Sequence, residues 1–228
     1  METVQFHQSY SYEEFICGFK PNENGNFQLQ DGLFYSFCKK AQKKPNENFY
    51  FIIDEINRGN LSKIFGEVMM LMEADKRGKE HEIKPAYGSE GEKFYIPENV
   101  YIIATMNTAD RSLAMVDYAL RRRFAFINLV PGFHTESFAT FLRGKGISNG
   151  FIEKVITFMK EVNNEIINDN VNLGKGFEIG HSYFCPDGEI KDEQEWFDRV
   201  VRLEVEPLLR EYWFDQEEKV DDLIQRHQ

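Results

Sequence analysis

The sequence predicts an α/β fold, a parallel sheet with crossover helices, followed by a separate helical domain. Two observations carry this. Three continuous runs of aromatic and β-branched residues fall within the first 130 positions, and the pattern changes to long amphipathic periodicity after Pro131. Runs of the first kind suit strands covered on both faces, as in parallel sheets.

Val4 to His7 is a short strand candidate. The strongest run, Phe49-Tyr50-Phe51-Ile52-Ile53, stops at two acids, Asp54-Glu55. From Leu61 to Met72, apolar residues at 61, 64, 65, 68, 69, 71 and 72 recur at helical spacing. Residues 79–95 carry turn formers around Gly88-Ser89-Glu90-Gly91 and read as an inserted hairpin. After a Pro97-Glu98-Asn99 turn, the run Val100 to Met106 stops at Asn107, and a third, Phe124 to Val130, is closed by Pro131-Gly132. Strand, helix and strand in that order imply a parallel crossover unit. Phe151, Ile152, Val155, Ile156, Met159 and Val162 mark a long helix, and Trp196 to Trp213 another, interrupted at Pro207. The expected division is an α/β body over 1–131 and a helical domain over 132–228.

The chain has 228 residues and a formal charge of −11, which argues against non-specific capture of nucleic acid or anionic lipid by its general surface. Residues 187–228 hold 14 acids and 6 bases, so the acidity sits in the helical part while the α/β part is nearly neutral. Cys17, Cys38 and Cys185 are odd in number and form no C-x-x-C pair, so neither a disulfide framework nor a zinc site is expected. The amino-terminal residues lack the basic start and apolar stretch of a signal peptide, and no run is long enough to span a membrane. A soluble, cytoplasmic protein is the expectation.

The chemistry concentrates at strand ends. An apolar strand closed by Asp54-Glu55 puts two carboxylates at the carboxyl edge of a parallel sheet, where ligands bind in open α/β folds. This is the Walker B arrangement, in which the first acid holds Mg²⁺ through its water shell and the second orients and deprotonates an attacking water. The alternative is a strand end with solvated acids. Asn107 ends the next strand, where its amide would stand beside Asp54 and Glu55 and hold water or a phosphate oxygen; the alternative is a turn asparagine. Arg121-Arg122-Arg123 precede the third run. Arginines of this kind stabilise charge on a transferring phosphoryl group, although at least one of the three is expected in a salt bridge.

Four segments, taken together, resemble one family: Phe51-Ile52-Ile53-Asp54-Glu55-Ile56-Asn57-Arg58-Gly59-Asn60, Met106-Asn107-Thr108-Ala109-Asp110-Arg111-Ser112, Val116-Asp117-Tyr118-Ala119-Leu120-Arg121-Arg122-Arg123-Phe124 and Gly176-Phe177-Glu178-Ile179-Gly180-His181-Ser182-Tyr183-Phe184. They are similar, in order and over nearly the whole chain, to the McrB-like AAA+ GTPases of McrBC-type, modification-dependent (5-methylcytosine-specific) restriction endonucleases. The resemblance implies an AAA+ P-loop NTPase-type body with a helical lid, hexameric rings, GTP and Mg²⁺ as ligands, an McrC-type nuclease subunit as partner, and DNA held by other parts of the complex. It implies roles as well. Asp54 would serve the metal, Glu55 and Asn107 catalysis, and Arg122 and Arg123 catalysis in trans. Asp110, Arg58 and His181 would lie near nucleotide, His181 where the lid approaches it. The alternative for His181 is a packed or surface histidine. Asn107-Thr108-Ala109-Asp110 lacks the Lys of the base-reading motif of small GTPases, so GTP preference rests on the resemblance alone.

One part of the pattern is absent from these 228 residues. A P-loop needs G-x-x-x-x-G-K-[ST]. Gly-Lys occurs at 78–79, 144–145 and 174–175, followed by Glu80, Gly146 and Gly176. The family's P-loop strand lies between the strands that Val100 and Phe124 begin here, so the expectation is a gap or unpaired edge between them and no nucleotide held by this chain alone. The alternatives are a non-catalytic ring subunit acting through its arginines, or an ATP-using relative.

Overall fold

The computed structural model describes residues 1–23, 25–88, 91–107, 109 and 121–227. The chain divides into two compact units, Met1–Phe126 and Ile127–Gln228, a few residues before the break expected at Pro131. Each has its own core.

In the first unit, β1 (Glu2–Gln5) pairs in parallel with β4 (Phe49–Asp54), and β4 in parallel with β5 (Val100–Ala104), giving the order β1-β4-β5. Between β1 and β4 run a short helix α1 (Tyr12–Phe15), a hairpin of β2 (Cys17–Pro21) and β3 (Phe27–Asp31), and α2 (Leu33–Gln42). One face of the sheet buries Phe51, Ile53 and Val100 against a nest of aromatic rings. Phe15 lies at its centre, stacked on Phe34 at 5.0 Å and edge-on to Phe51 and Phe65. Offset and edge-to-face pairs of this kind contribute about 0.5–1.5 kcal/mol each beyond the area they bury.

The other face corrects an expectation. Tyr50, Tyr101 and Ile103 are exposed there, the two tyrosines stacked at 5.4 Å, so among the described residues β4 and β5 are covered on one side only. Apolar residues on both faces are the composition of a strand buried on both.

The expected helix over 61–72 is α-helical only as α3 (Leu61–Phe65) and continues to Met72 as a 3₁₀ segment. Gly66 causes the change: it adopts φ +52, which L side chains rarely take, and a Cβ there would lie 3.0 Å from the Tyr12 ring. The apolar stripe still buries Val68, Met69, Leu71 and Met72, because three- and four-residue spacing both keep one side inward. Of the hairpin expected over 79–95, the described residues show a single antiparallel bridge rather than two paired strands. Lys79–His81 form a 3₁₀ turn, and one antiparallel bridge, Ile83 to Phe94, holds the excursion.

The third expected strand is absent as well. Residues 125–130 carry no strand pairing, and Ile127 and Leu129 are 84% and 94% exposed. Strand propensity reflects packing on a half-buried surface rather than a backbone preference, and this segment has neither neighbour nor cover among the described residues.

The second unit is helical: α4 (Glu136–Gly144), α5 (Asn149–Asn168), α6 (Glu193–Val200), α7 (Glu206–Tyr212) and α8 (Glu217–Gln225). The expected interruption in the 196–213 segment is a π-helical turn, Val201–Val205, which runs without a break in helical backbone into α7; Pro207, with no N–H to bond back to the preceding turn, follows directly after this wider turn. The Trp213 indole donates to Asp169 Oδ2 at 2.8 Å, tying the end of α7 to the end of α5. No helix among the described residues is long and apolar enough to cross a membrane, and the three cysteines are free thiols.

Candidate functional site

Parallel register brings three polar residues to one edge. Gln5 is the partner of Asp54 on β1, and Ile53 is the partner of Ala104 on β5, so Gln5, Asp54 and Thr105 form a row where the three strands end. Their side chains are linked. The Thr105 hydroxyl donates to Asp54 Oδ1 at 2.5 Å, and the Gln5 amide donates to Asp54 Oδ2 at 3.2 Å. Asp54 is half-buried and held at both oxygens.

Glu55 follows in the left-handed conformation, φ 53 and ψ 47, the one non-glycine residue with positive φ among those described. That geometry costs an L-residue roughly 1–2 kcal/mol and turns the chain sharply, so adjacent acids diverge. The bend is bracketed from β5: Glu55 N–H donates to Thr105 Oγ1 at 3.3 Å and Ile56 N–H to the Thr105 carbonyl at 3.0 Å. Arg58 Nε stands 3.3 Å from Glu55 Oε2, an ion pair without hydrogen-bond alignment, and among the described residues that buried oxygen has no hydrogen-bond donor.

The side-chain oxygen of Asn107 accepts Ala109 N–H at 3.0 Å, a local turn contact, and its carbonyl accepts from the Asn57 amide at 3.3 Å. The residue hydrogen-bonded to Asp54 from the end of β5 is Thr105. Two residues earlier in the same run, it carries a detectable signal: parallel register sets it opposite the first acid.

Arg122 and Arg123 meet one carboxylate, Glu73, with Nε and Nη2 at 3.9 Å and 3.1 Å from Oε1. Their exposures differ, 69% for the Arg122 side chain and 8% for that of Arg123. At least one of the three arginines is expected in a salt bridge, and among the described residues two make one: Arg123 closely and enclosed, Arg122 at longer range and exposed. Asp110 lies outside the described residues, as does the helical stretch expected from Leu113 to Leu120.

His181 belongs to the second unit. Its Nδ1 accepts Gly132 N–H at 2.9 Å, which places the proton of the neutral ring on Nε2, and the ring lies edge-on to Phe133 and Phe138. Gly132 permits this approach, since a Cβ there would lie 3.2 Å from His181 Cε1.

The donor set is oxygen-rich and sparse. No group of three or more His, Cys, Asp or Glu among the described residues can cage a metal. A single carboxylate held at a sheet edge fits Mg²⁺, which keeps most of its waters and takes one or two carboxylates plus phosphate oxygens.

A parallel sheet whose middle strand ends in two adjacent acids, with polar residues just past the end of the next strand, is an α/β body of the kind that binds ligands at its carboxyl edge. Residues 1–124 match the family described as AAA domain, dynein-related subfamily, and residues 154–221 match McrB, alpha-helical lid domain. The chain belongs to the AAA family and is an McrB-like AAA+ segment. It is 56% identical over 216 residues to the type IV methyl-directed restriction enzyme EcoKMcrB subunit of Escherichia coli K12, covering 93% of this chain and 47% of that protein. It is 30% identical over 159 residues to the type II restriction enzyme BsuMI component YdiS of Bacillus subtilis 168, covering 54% of this chain and 46% of that protein. The chain thus spans about half the length of the curated relatives it matches. A putative ATPase from Cytophaga hutchinsonii aligns with TM-score 0.37 and 13% identity over 73% of this chain and 50% of its own, a likeness too loose to bear on function.

Proposed function

We propose that this chain is the acid-, sensor- and arginine-bearing part, with the lid, of a GTP-hydrolysing motor subunit in an McrBC-type restriction system acting on modified DNA. The observation that carries the reading is the tied pair Asp54 and Glu55 at the carboxyl edge of β4, in a chain whose two halves match an AAA domain and an McrB lid.

Asp54, fixed by Gln5 and Thr105, would hold Mg²⁺, which would supply charge neutralisation to the phosphate groups. Glu55, on the left-handed bend that follows, orients and deprotonates the attacking water, a role that contributes about 10²–10⁴-fold. Asn107 holds that water or a γ-phosphate oxygen. Arg122, exposed, reaches a neighbour's site in a hexameric ring, with Arg123 behind it, and an arginine in trans supplies about 10³–10⁵ in rate. By resemblance to the family, Asp110, Arg58 and His181 are assigned to nucleotide binding. An McrC-type nuclease joins the ring, DNA is engaged elsewhere in the complex, and the assembly works in the cytoplasm.

Because these 228 residues contain no phosphate cradle, they do not hold nucleotide by themselves, and positioning is most of phosphoryl-transfer catalysis. Isothermal titration with GTP and Mg²⁺ is expected to show no tight binding by this chain and binding by a version extended upstream to include a P-loop. Tight binding by the short chain, or none by the extended one, overturns the reading. Competition by ATP on the extended chain separates a GTP user from an ATP-using relative.

The exposure of Arg122 favours one second reading, a non-catalytic ring subunit that lends arginines to intact neighbours. Mixing this chain with a full-length homologue and following GTP turnover tests it. Co-assembly with altered turnover supports it, and no association removes it.

A further inference from the structure

Thr105 makes four hydrogen bonds to four consecutive residues. Its N–H donates to the Ile53 carbonyl at 2.9 Å, its hydroxyl donates to Asp54 at 2.5 Å and accepts from Glu55 N–H at 3.3 Å, and its carbonyl accepts from Ile56 N–H at 3.0 Å. The two backbone bonds are what any residue in this register would make. The two through the hydroxyl depend on the side chain, and they join the carboxylate of one acid to the backbone of the other.

The hydroxyl has a single proton, and the acidic partner takes it. Its lone pairs then face Glu55 N–H, so both bonds form only in this polarity. Glu55 needs such a tie. A left-handed glutamate persists only where its surroundings over-determine the backbone, and among the described residues Glu55 N–H finds its acceptor in Thr105, just past the end of β5.

We propose that Thr105 is a positioning residue for the Asp54 and Glu55 pair. By holding the Asp54 carboxylate and the Glu55 bend with one oxygen, it sets the divergence that lets one acid face the metal while the other faces water. The proposal rests on the reading of these two acids as hydrolytic. Valine has nearly the shape of threonine without its hydrogen bonds, and serine keeps the hydroxyl without the methyl.

The test uses Thr105→Val and Thr105→Ser, each read twice. In the 228-residue chain, amide hydrogen exchange at Glu55 is expected to speed up about tenfold or more in Thr105→Val as the tie is lost, with Ile53 and Phe51 unchanged and Thr105→Ser close to the parent. In the upstream-extended chain, Thr105→Val is expected to lower kcat about 10–100-fold with KM for GTP nearly unchanged, since a small misplacement of a catalytic group costs up to about 10²-fold, and Thr105→Ser is expected to restore most of it. Glu55→Gln is the control. If Glu55→Gln keeps full turnover, the hydrolytic reading fails; if it abolishes turnover while Thr105→Val matches the parent, the positioning proposal alone fails. Unchanged exchange at Glu55 in Thr105→Val, or a Thr105→Ser variant as impaired as valine, also overturns it.

Discussion

Arg123 is ion-paired with Glu73 at 3.1 Å with its side chain almost wholly enclosed, while Arg122, one residue earlier, keeps its guanidinium in solvent at 3.9 Å from the same oxygen. One carboxylate thus separates two adjacent arginines into a held residue and a presented one.

Different consequences follow for the two. Arg122→Ala is expected to leave the melting curve of the chain within about 0.5 kcal/mol of the parent, as for most exposed substitutions, while removing most turnover in an assembled, upstream-extended ring. Arg123→Ala is expected to cost about 1–3 kcal/mol by leaving Glu73 without its enclosed partner, and to lower turnover as well. Thermal melting and GTP turnover measured on both variants check this. Equal stability losses would remove the distinction.

The parallel body, the acids at its edge and the long lid helix are legible because each depends on local pattern: an apolar run stopped by Asp54-Glu55, and apolar spacing from Phe151 onward. What escaped depended on partners. The Phe124 to Val130 run has a strand's composition, yet strand formation needs a neighbouring edge, and composition cannot say whether one is there. The stripe from Leu61 to Met72 reads as one helix because spacing does not reveal that Gly66 takes a positive φ against Tyr12. At the site, Asn107 attracted attention as the polar residue that ends a strand. The contact with Asp54 belongs to Thr105, and only the register of β4 with β5 decides between them. Sorting Arg122 from Arg123 likewise required Glu73, which nothing near the arginines in sequence suggests.

The link between Asp169 and Trp213 carries a pH dependence. Asn172 N–H and then the Trp213 indole donate to the Asp169 carboxylate and hold its pKa below the usual value of 3.8. A carboxyl group with a folded pKa below its unfolded one contributes stability that is present above the unfolded value and lost as pH falls through the folded one. Melting temperature measured from neutral pH down through the carboxylate range is expected to fall more steeply for the parent than for Asp169→Asn, with the variant lower at neutral pH. Parallel curves would show that this carboxylate does not couple folding to pH.

Asn163 makes the sharpest stability prediction in the lid. It is buried at 7% exposure, its amide donates to the Ile179 carbonyl at 3.1 Å, and its side-chain oxygen accepts Ile179 N–H at 2.7 Å. One side chain on α5 thereby completes both backbone groups of a residue two positions before His181. Asn163→Leu fills the space but strands both groups, each at about 1–3 kcal/mol, so urea unfolding is expected to show a loss of about 2–5 kcal/mol. Asn163→Asp keeps the acceptor for Ile179 N–H and sets an oxygen against an oxygen at the other contact. Its deficit relative to the parent is expected to shrink on acidification, because a protonated carboxyl group can donate to the Ile179 carbonyl again. Amide exchange at Ile179 should follow the same order, fastest in the leucine variant. A leucine variant as stable as the parent would show that the clamp contributes nothing net, and an aspartate deficit independent of pH would show that the lost donor is not its cause.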